Sequence, residues 1–112
     1  MNEIDRLTVR VDRVVDGDTF TCNAVVLNVL GLELKFPGLH FRLIGVDTPE
    51  KKDAGYSAAT EFTRSKIEGK DVKIQIHGKD VFGRVLCTVF LTQKKTLNDL
   101  LIKENLAAVY KK

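Results

Sequence analysis

The stretch LTVRVDRVVDGDTFTCNAVVL, residues 7–27, decides the fold. Leu7, Val9 and Val11 alternate with Thr8, Arg10 and Asp12, the period of two that marks a strand with one buried face. The run continues through Val14 and Val15 into Asp16-Gly17-Asp18. Asp-Gly between two apolar runs is a hairpin signal, and a second strand is expected from Thr19 to Leu30.

Working outward, Leu39 to Val46 reads as a third strand. VKIQI (Val72 to Ile76) alternates again, and Arg84 to Leu91 is a fifth candidate. Five strands separated by turn residues suggest a small barrel, because closing a sheet removes its exposed edges. Two helices interrupt them. SAATEFTRSKIEG (Ser57 to Gly69) has Ser57 to cap its start and Gly69 to end it. Ala59, Phe62, Thr63 and Ile67 give it an apolar side. TLNDLLIKEN (Thr96 to Asn105) opens on Thr96-x-x-Asp99, a capping-box variant. It closes at Asn105, a residue that tolerates the left-handed conformation, and Leu97, Leu100 and Leu101 form its buried stripe. The order β-β-β-α-β-β-α predicts an α+β chain, mainly β: a five-stranded OB-type barrel with two packed helices.

The 112 residues suffice for one domain, 1–112, with a single modest core. A hydrophobic content of 44% and a charged content of 29% are ordinary for a globular protein. A net charge of +3 suits an anionic partner without requiring one. No run of about 18 apolar residues exists, so no membrane span is expected. MNEIDRLTVR lacks the apolar core of a signal peptide. The chain therefore either stays inside the cell or follows a removed leader. Cys22 and Cys87 fall in strand-like runs and read as reduced core thiols; whether their sulfurs meet is open. His40 and His77 lack metal-ligand spacing.

Three stretches concentrate polar residues at strand ends: VVDGDTF (14–20), RLIGVDTPE (42–50) and KDVFGRVL (79–86). Singly, each reads as an ordinary turn. Asp16 and Asp18 would be hairpin residues, Asp47-Thr48-Pro49 a turn that ends a strand, and Arg84 a solvated strand residue. Together they supply two or three aspartates, a glutamate and two arginines to neighbouring strand ends. Phosphodiester hydrolysis needs such a set. The phosphate gains negative charge as water attacks, so planar arginine forks must face its oxygens. A hard divalent cation adds charge and takes oxygen ligands. Another carboxylate orients or deprotonates the water. Asp18 and Asp47, with the Thr48 carbonyl, suit the metal; Glu50 suits the water; Arg42 and Arg84 suit the phosphate.

These stretches, with LNDLLIKENLAAVY (97–110), resemble the staphylococcal nuclease (thermonuclease) family, colinearly from about Leu7 to Tyr110. The resemblance implies an OB barrel with helices, and cleavage of DNA and RNA with little sequence preference to leave 3′-phosphate ends. It implies calcium, held by Asp18, Asp47 and the Thr48 carbonyl, with Asp16 behind them. Arg42 and Arg84 would clamp the phosphate and Glu50 would handle the water. Asn98 matches a polar, buried family position and is expected to be structural.

Three departures accompany the resemblance. The family's Asp-Lys-Tyr-Gly-Arg is here Asp80-Val81-Phe82-Gly83-Arg84, losing a cation and a hydroxyl near the outer phosphate. Lys79 is a partial substitute and Phe82 can still stack on a base, so weaker substrate binding with an intact chemical step is expected. Asn23 to Gly38 is longer than the family hairpin and rich in apolar residues, either extending two strands or forming an interaction surface. The chain ends at Lys112, where the family continues into a third helix. A reduced version is therefore expected, its missing cover supplied by the hairpin or by a second subunit, so monomer and homodimer both remain open.

A rival of a different class is a nucleic-acid-binding OB module without catalysis. A degenerate copy would have lost an arginine, the glutamate or a metal aspartate, and all are present. A calcium-binding module alone explains neither arginine.

Overall fold

The structure, a computed structural model, describes residues 6–110. In chain order it contains β1 (Arg6–Arg10), β2 (Arg13–Asp16), β3 (Thr19–Val29), β4 (Leu32–Leu43) and β5 (Val46–Asp47). These are followed by α1 (Tyr56–Ile67), β6 (Asp71–Lys79), β7 (Val85–Phe90), α2 (Leu97–Lys103) and β8 (Ala108–Val109).

Six strands form one strongly curled sheet in the order β1-β6-β7-β4-β3-β2. Its two edge strands, β1 and β2, are consecutive in the chain, parted only by Val11 and Asp12. The expected first strand is therefore one bent segment that pairs with β6 through its first half and with β3 through its second. Taken as one, β1–β2 joins β3, β4, β6 and β7 as the five strands of an OB-type α+β fold. The β4–β7 pair is parallel and the others are antiparallel. The two-residue strands β5 and β8, which pair with each other, carry too little periodicity to be read from sequence.

Alternation fills the core. Val9, Val14, Phe20, Cys22, Phe41, Leu43, Ile74, Val85, Cys87 and Val89 point inward, with the Phe20 and Phe41 rings stacked 5.2 Å apart. α1 closes one side with Ala59, Thr63 and Ile67, and α2 adds Leu97 and Leu101. Thr96 caps α2, its Oγ1 accepting from the Asp99 N–H at 3.1 Å, and Asn105 takes φ 61° beyond the helix. Ser57 is not the cap of α1. The helix begins one residue earlier, after Gly55 at φ 89°, and has no side-chain cap. Gly69, at φ 75°, follows its end.

Asn23–Gly38 extends two strands. β3 and β4 stay paired outward from Thr19↔Arg42 to Val29↔Leu32 at the tip. Beyond Val25 its apolar side chains are not folded back over the core: Leu30 is 97% exposed, and Leu32, Leu34 and Phe36 are also exposed. The hairpin thus offers no substitute cover for the barrel. Cys22 and Cys87 are buried and unpaired. Burial, and then the nearby Asp12 charge, push the Cys22 thiol up to about 12; burial also raises Cys87.

Candidate active site

Asp18 follows a turn that only glycine fits at its middle. A Cβ on Gly17 would lie 2.9 Å from Thr48 Cγ2 and 3.0 Å from Ala59 Cβ. The Gly17 carbonyl accepts from Thr63 Oγ1 of α1 at 2.7 Å. The β2–β3 turn is thereby pressed onto α1 and the Thr48 loop, and Asp18 is left 7% exposed. Its carboxylate is held on both oxygens: Thr19 Oγ1 donates to Oδ1 at 3.0 Å and the Thr48 N–H to Oδ2 at 3.1 Å.

Arg42 lies on the outward face of β4, between the inward Phe41 and Leu43. Its Nη1 donates to the Leu43 and Val46 carbonyls, at 2.6 and 2.8 Å, across the turn at Gly45 (φ 80°). Its Nη2 stands 3.5 Å from Asp18 Oδ2 and 3.7 Å from Asp47 Oδ1. Two carboxylates from separate segments thus converge on one nitrogen. Such an all-oxygen pair, with backbone carbonyls close by, fits a hard divalent cation. Among the described residues no group of three or more His, Cys, Asp or Glu side chains could hold a metal. A metal here would therefore need a carbonyl and water beside its two carboxylates.

Arg84 approaches from β7. Arg42 pairs with Leu86 in the β4–β7 register, and Arg84 precedes Leu86 by two, which puts both arginines on one face. They line one cavity with Asp80, Phe82 and Tyr110. Asp80 builds the turn that aims Arg84. Its Oδ1 accepts the Phe82 and Arg84 N–H groups, both at 2.9 Å, and Oδ2 accepts Arg84 Nε at 2.7 Å. Burial alone would raise the Asp80 carboxyl. The Arg84 backbone and side-chain bonds, the Phe82 N–H and the Arg84 charge outweigh it and hold the group below its ordinary value. Phe82 is 80% exposed, with the Arg84 guanidinium 5.4 Å from its ring centroid.

Of the expected site residues, Asp18, Arg42 and Asp47 meet directly, and Arg84 joins Arg42 across the shared cavity. Glu50 is not among the residues that line the arginines' cavity; it is exposed in another cleft that it lines with Asp47, Thr48 and Asp53. Asp16 accepts from the Tyr56 hydroxyl at 2.7 Å, a bond that raises the Tyr56 pKa, assisted by burial and the Asp16 charge. Lys79 ends β6 opposite Val85 and is exposed.

Sequence reasoning gave Tyr110 and Asp80 no role. Tyr110 is carried in by β8: its N–H donates to the Gly45 carbonyl at 2.9 Å and its ring lies 5.8 Å from the Arg42 guanidinium. No local pattern announces this, because β8 has two residues and exists only by pairing with β5. Asp80 was legible as an Asp-x-x-Gly turn, though not its grip on Arg84. Asn98 is buried as expected: its Oδ1 accepts from the Val89 N–H, and its Nδ2 donates to the Ile44 and Cys87 carbonyls.

Comparison with known proteins shows the family to which the chain is similar. A family model described as staphylococcal nuclease homologue matches residues 40–112. A protein of Escherichia coli named "Uncharacterized endonuclease" is 30% identical over 101 residues, covering 90% of this chain and 60% of the relative. One of the same name from Haemophilus influenzae is 30% identical over 107 residues, covering 96% and 54%. The "Thermonuclease" of Staphylococcus hyicus is 30% identical over 115 residues, covering 96% and 62%. The chain thus spans about 60% of the length of these relatives. With the matched segment holding Arg42, Asp47, Glu50 and Arg84, the chain belongs to the staphylococcal nuclease family.

Proposed function

We propose that this chain hydrolyses phosphodiester bonds of DNA or RNA, with little sequence preference and in dependence on calcium, leaving 3′-phosphate ends. One observation carries the reading: Asp18, Asp47 and Arg42 converge at 3.5 and 3.7 Å beside the cavity that Arg42 shares with Arg84. Relatives named as endonucleases and a thermonuclease support it.

Each residue then has a task. Arg84 presents its terminal N–H groups to the non-bridging oxygens, and the Arg42 guanidinium, engaged by its own carbonyls and carboxylates, adds its charge beside them, both interactions strengthening as charge builds on the phosphate. Asp18 and Asp47, with the Thr48 carbonyl, would hold the calcium ion, which when bound supplies further positive charge to the phosphate and polarises water. Glu50, exposed in the adjoining cleft, can take a proton from attacking water. Phe82 offers its free ring face to a base. Its lack of a hydroxyl, and the loss of the family's lysine at Val81, raise KM and leave kcat intact.

A second reading, a binding module without catalysis, draws on one detail: Arg42 already satisfies two backbone carbonyls and two carboxylates. Turnover by the wild-type protein separates the two, and substitution then tests the roles of the residues. Arg42→Ala also loosens the Gly45 turn, so Arg84→Ala is the cleaner probe. Arg84→Ala should lower kcat on single-stranded DNA roughly 10²-fold or more, the scale for a lost transition-state donor. Glu50→Gln should cost similarly, whereas Lys79→Ala should leave kcat near wild type. Near-normal turnover without Arg84 would overturn the phosphate-clamp mechanism, whereas no turnover by the wild-type protein would leave only the binding module. Enzymatic labelling of the product ends tests the 3′-phosphate.

A further inference from the structure

A second cationic site lies at the far end of the β6–β7 pair. The Asp80–Arg84 turn joins these strands at one end. At the other, where β6 begins and β7 finishes, Arg6, Lys66, Lys70 and Lys73 line a groove with Phe90 and Asp71. Asp71 is already engaged, accepting Arg10 Nε at 2.7 Å. The nearby α1 acids are engaged as well: Glu61 and Glu68 both pair with Arg64, and Glu68 also accepts the Val14 N–H. The four cations of the groove are exposed and have little compensating charge among the described residues, Lys66 lying over the Phe62 ring and Lys70 donating to the Ser65 carbonyl at 3.2 Å. Arg6 stacks over Phe90, 5.2 Å from its centroid, the guanidinium–aromatic pairing on which bases also stack.

The strand pattern connects this groove to the candidate active site. Val85, Cys87 and Val89 of β7 point into the core, so Arg84, Leu86, Thr88 and Phe90 share the outer face. Beside them on β6 lie Lys73 and Gln75, opposite Phe90 and Thr88, and His77, whose Nε2 is 2.8 Å from Thr88 Oγ1. From Arg84 to Phe90 this polar face runs about 20 Å at ~3.3 Å per residue. That length accommodates several nucleotides, the span over which OB barrels hold a strand (about 4–16).

We infer that Arg6, Lys66, Lys70 and Lys73 form a second phosphate-binding site that holds the backbone of a single-stranded polynucleotide whose scissile phosphate lies at Arg84. The inference rests on the proposed nuclease reading for its substrate, and its geometry stands apart from the hydrolytic groups. It makes affinity depend on substrate length: a strand reaching both ends of β7 gains contacts that a dinucleotide cannot.

The test is a triple variant, Lys66→Gln with Lys70→Gln and Lys73→Gln, beside a charge-matched control, Arg13→Gln with Lys35→Gln and Lys103→Gln. On a 30-nucleotide DNA strand the groove variant should raise KM about tenfold or more while kcat holds. The slope of log KM against log salt should fall by about 2, at roughly 0.7 per lost phosphate contact. Hydrolysis of a dinucleotide substrate should match wild type, and the control should shift KM far less. Equal KM changes in the two variants, or an equal loss on the dinucleotide, would overturn the inference while leaving the nuclease standing. Anisotropy of a labelled 30-mer in chelator reads binding without cleavage. Weakened binding by the groove variant there, in a protein that cleaves nothing, would uphold the groove and refute the nuclease.

Discussion

Gly17 shows how one residue sets the geometry of the candidate site from outside it. Its Cα packs against Thr48 and Ala59 so closely that a methyl group would overlap both. Gly17→Ala should destabilise the protein by about 1–3 kcal/mol, the range for overpacking, and should displace Asp18 and Thr48 together. Denaturant melts measure the first effect, and a loss of activity exceeding the loss of folded protein reports the second. Asp80 makes the same point through charge. Its carboxyl is held below its ordinary value, so its support of the Arg84 turn is complete above the unfolded pKa near 4. That support fades as pH falls through the lower folded value. The stability gap between wild type and Asp80→Asn should therefore be constant well above the unfolded pKa near 4 and shrink as pH falls below it, read from urea melts across that range. A gap independent of pH would mean the aspartate acts by shape alone. At this scale the sequence was informative about chemistry and poor in geometry. Asp18, Arg42, Asp47 and Arg84 could be singled out by type and motif, but that both carboxylates would meet Arg42 depended on contacts across the sheet.

Elements were legible where their period was long and clean. LTVRVD and VKIQI became β1 and β6, and Thr96 capped α2 as its spacing required. The bend at Val11–Asp12 was not read, although Asp12 and Arg13, two exposed polar residues in a row, shift the alternation by one there; barrel closure, a global constraint, breaks the strand at that slip. α1 likewise starts on a left-handed glycine in place of the more familiar serine cap, since the loop from Thr48 must reverse before the helix can begin. The β3–β4 hairpin has the strongest apolar content with the least core behind it. Val25, Leu27 and Val29 face Phe36, Leu34 and Leu32 across the ladder, and only Val25 is buried. Replacing Leu32, Leu34 and Phe36 together by Thr should change stability by less than about 1 kcal/mol, as expected for exposed positions. A chemical melt checks this. A collapse of stability would show that the arm is covered in solution. Asn98 is the opposite case, a single side chain that ties α2 to β7 and to the β4–β5 turn, and so holds the Arg42 turn to the rest of the barrel.

At the scale of the whole molecule, three segments distant in sequence are brought together by the closure of one sheet. The β2–β3 turn supplies Asp18, the end of β4 and the short β5 that follows it supply Arg42 and Asp47, and the entry to β7 supplies Arg84. The barrel was foreseeable from five strands needing closure. The outer face of β7, running from Arg84 to the Arg6–Phe90 groove, was not, because it is defined by the neighbours a strand acquires. The central claim is that this assembly is a metal-dependent phosphodiesterase centre. Its most direct test is hydrolysis of heat-denatured DNA by the purified protein with calcium, with magnesium, and with a chelator. Cleavage with calcium that is abolished by chelation is the predicted result; no cleavage under any condition, with salt-sensitive DNA binding retained, would contradict it.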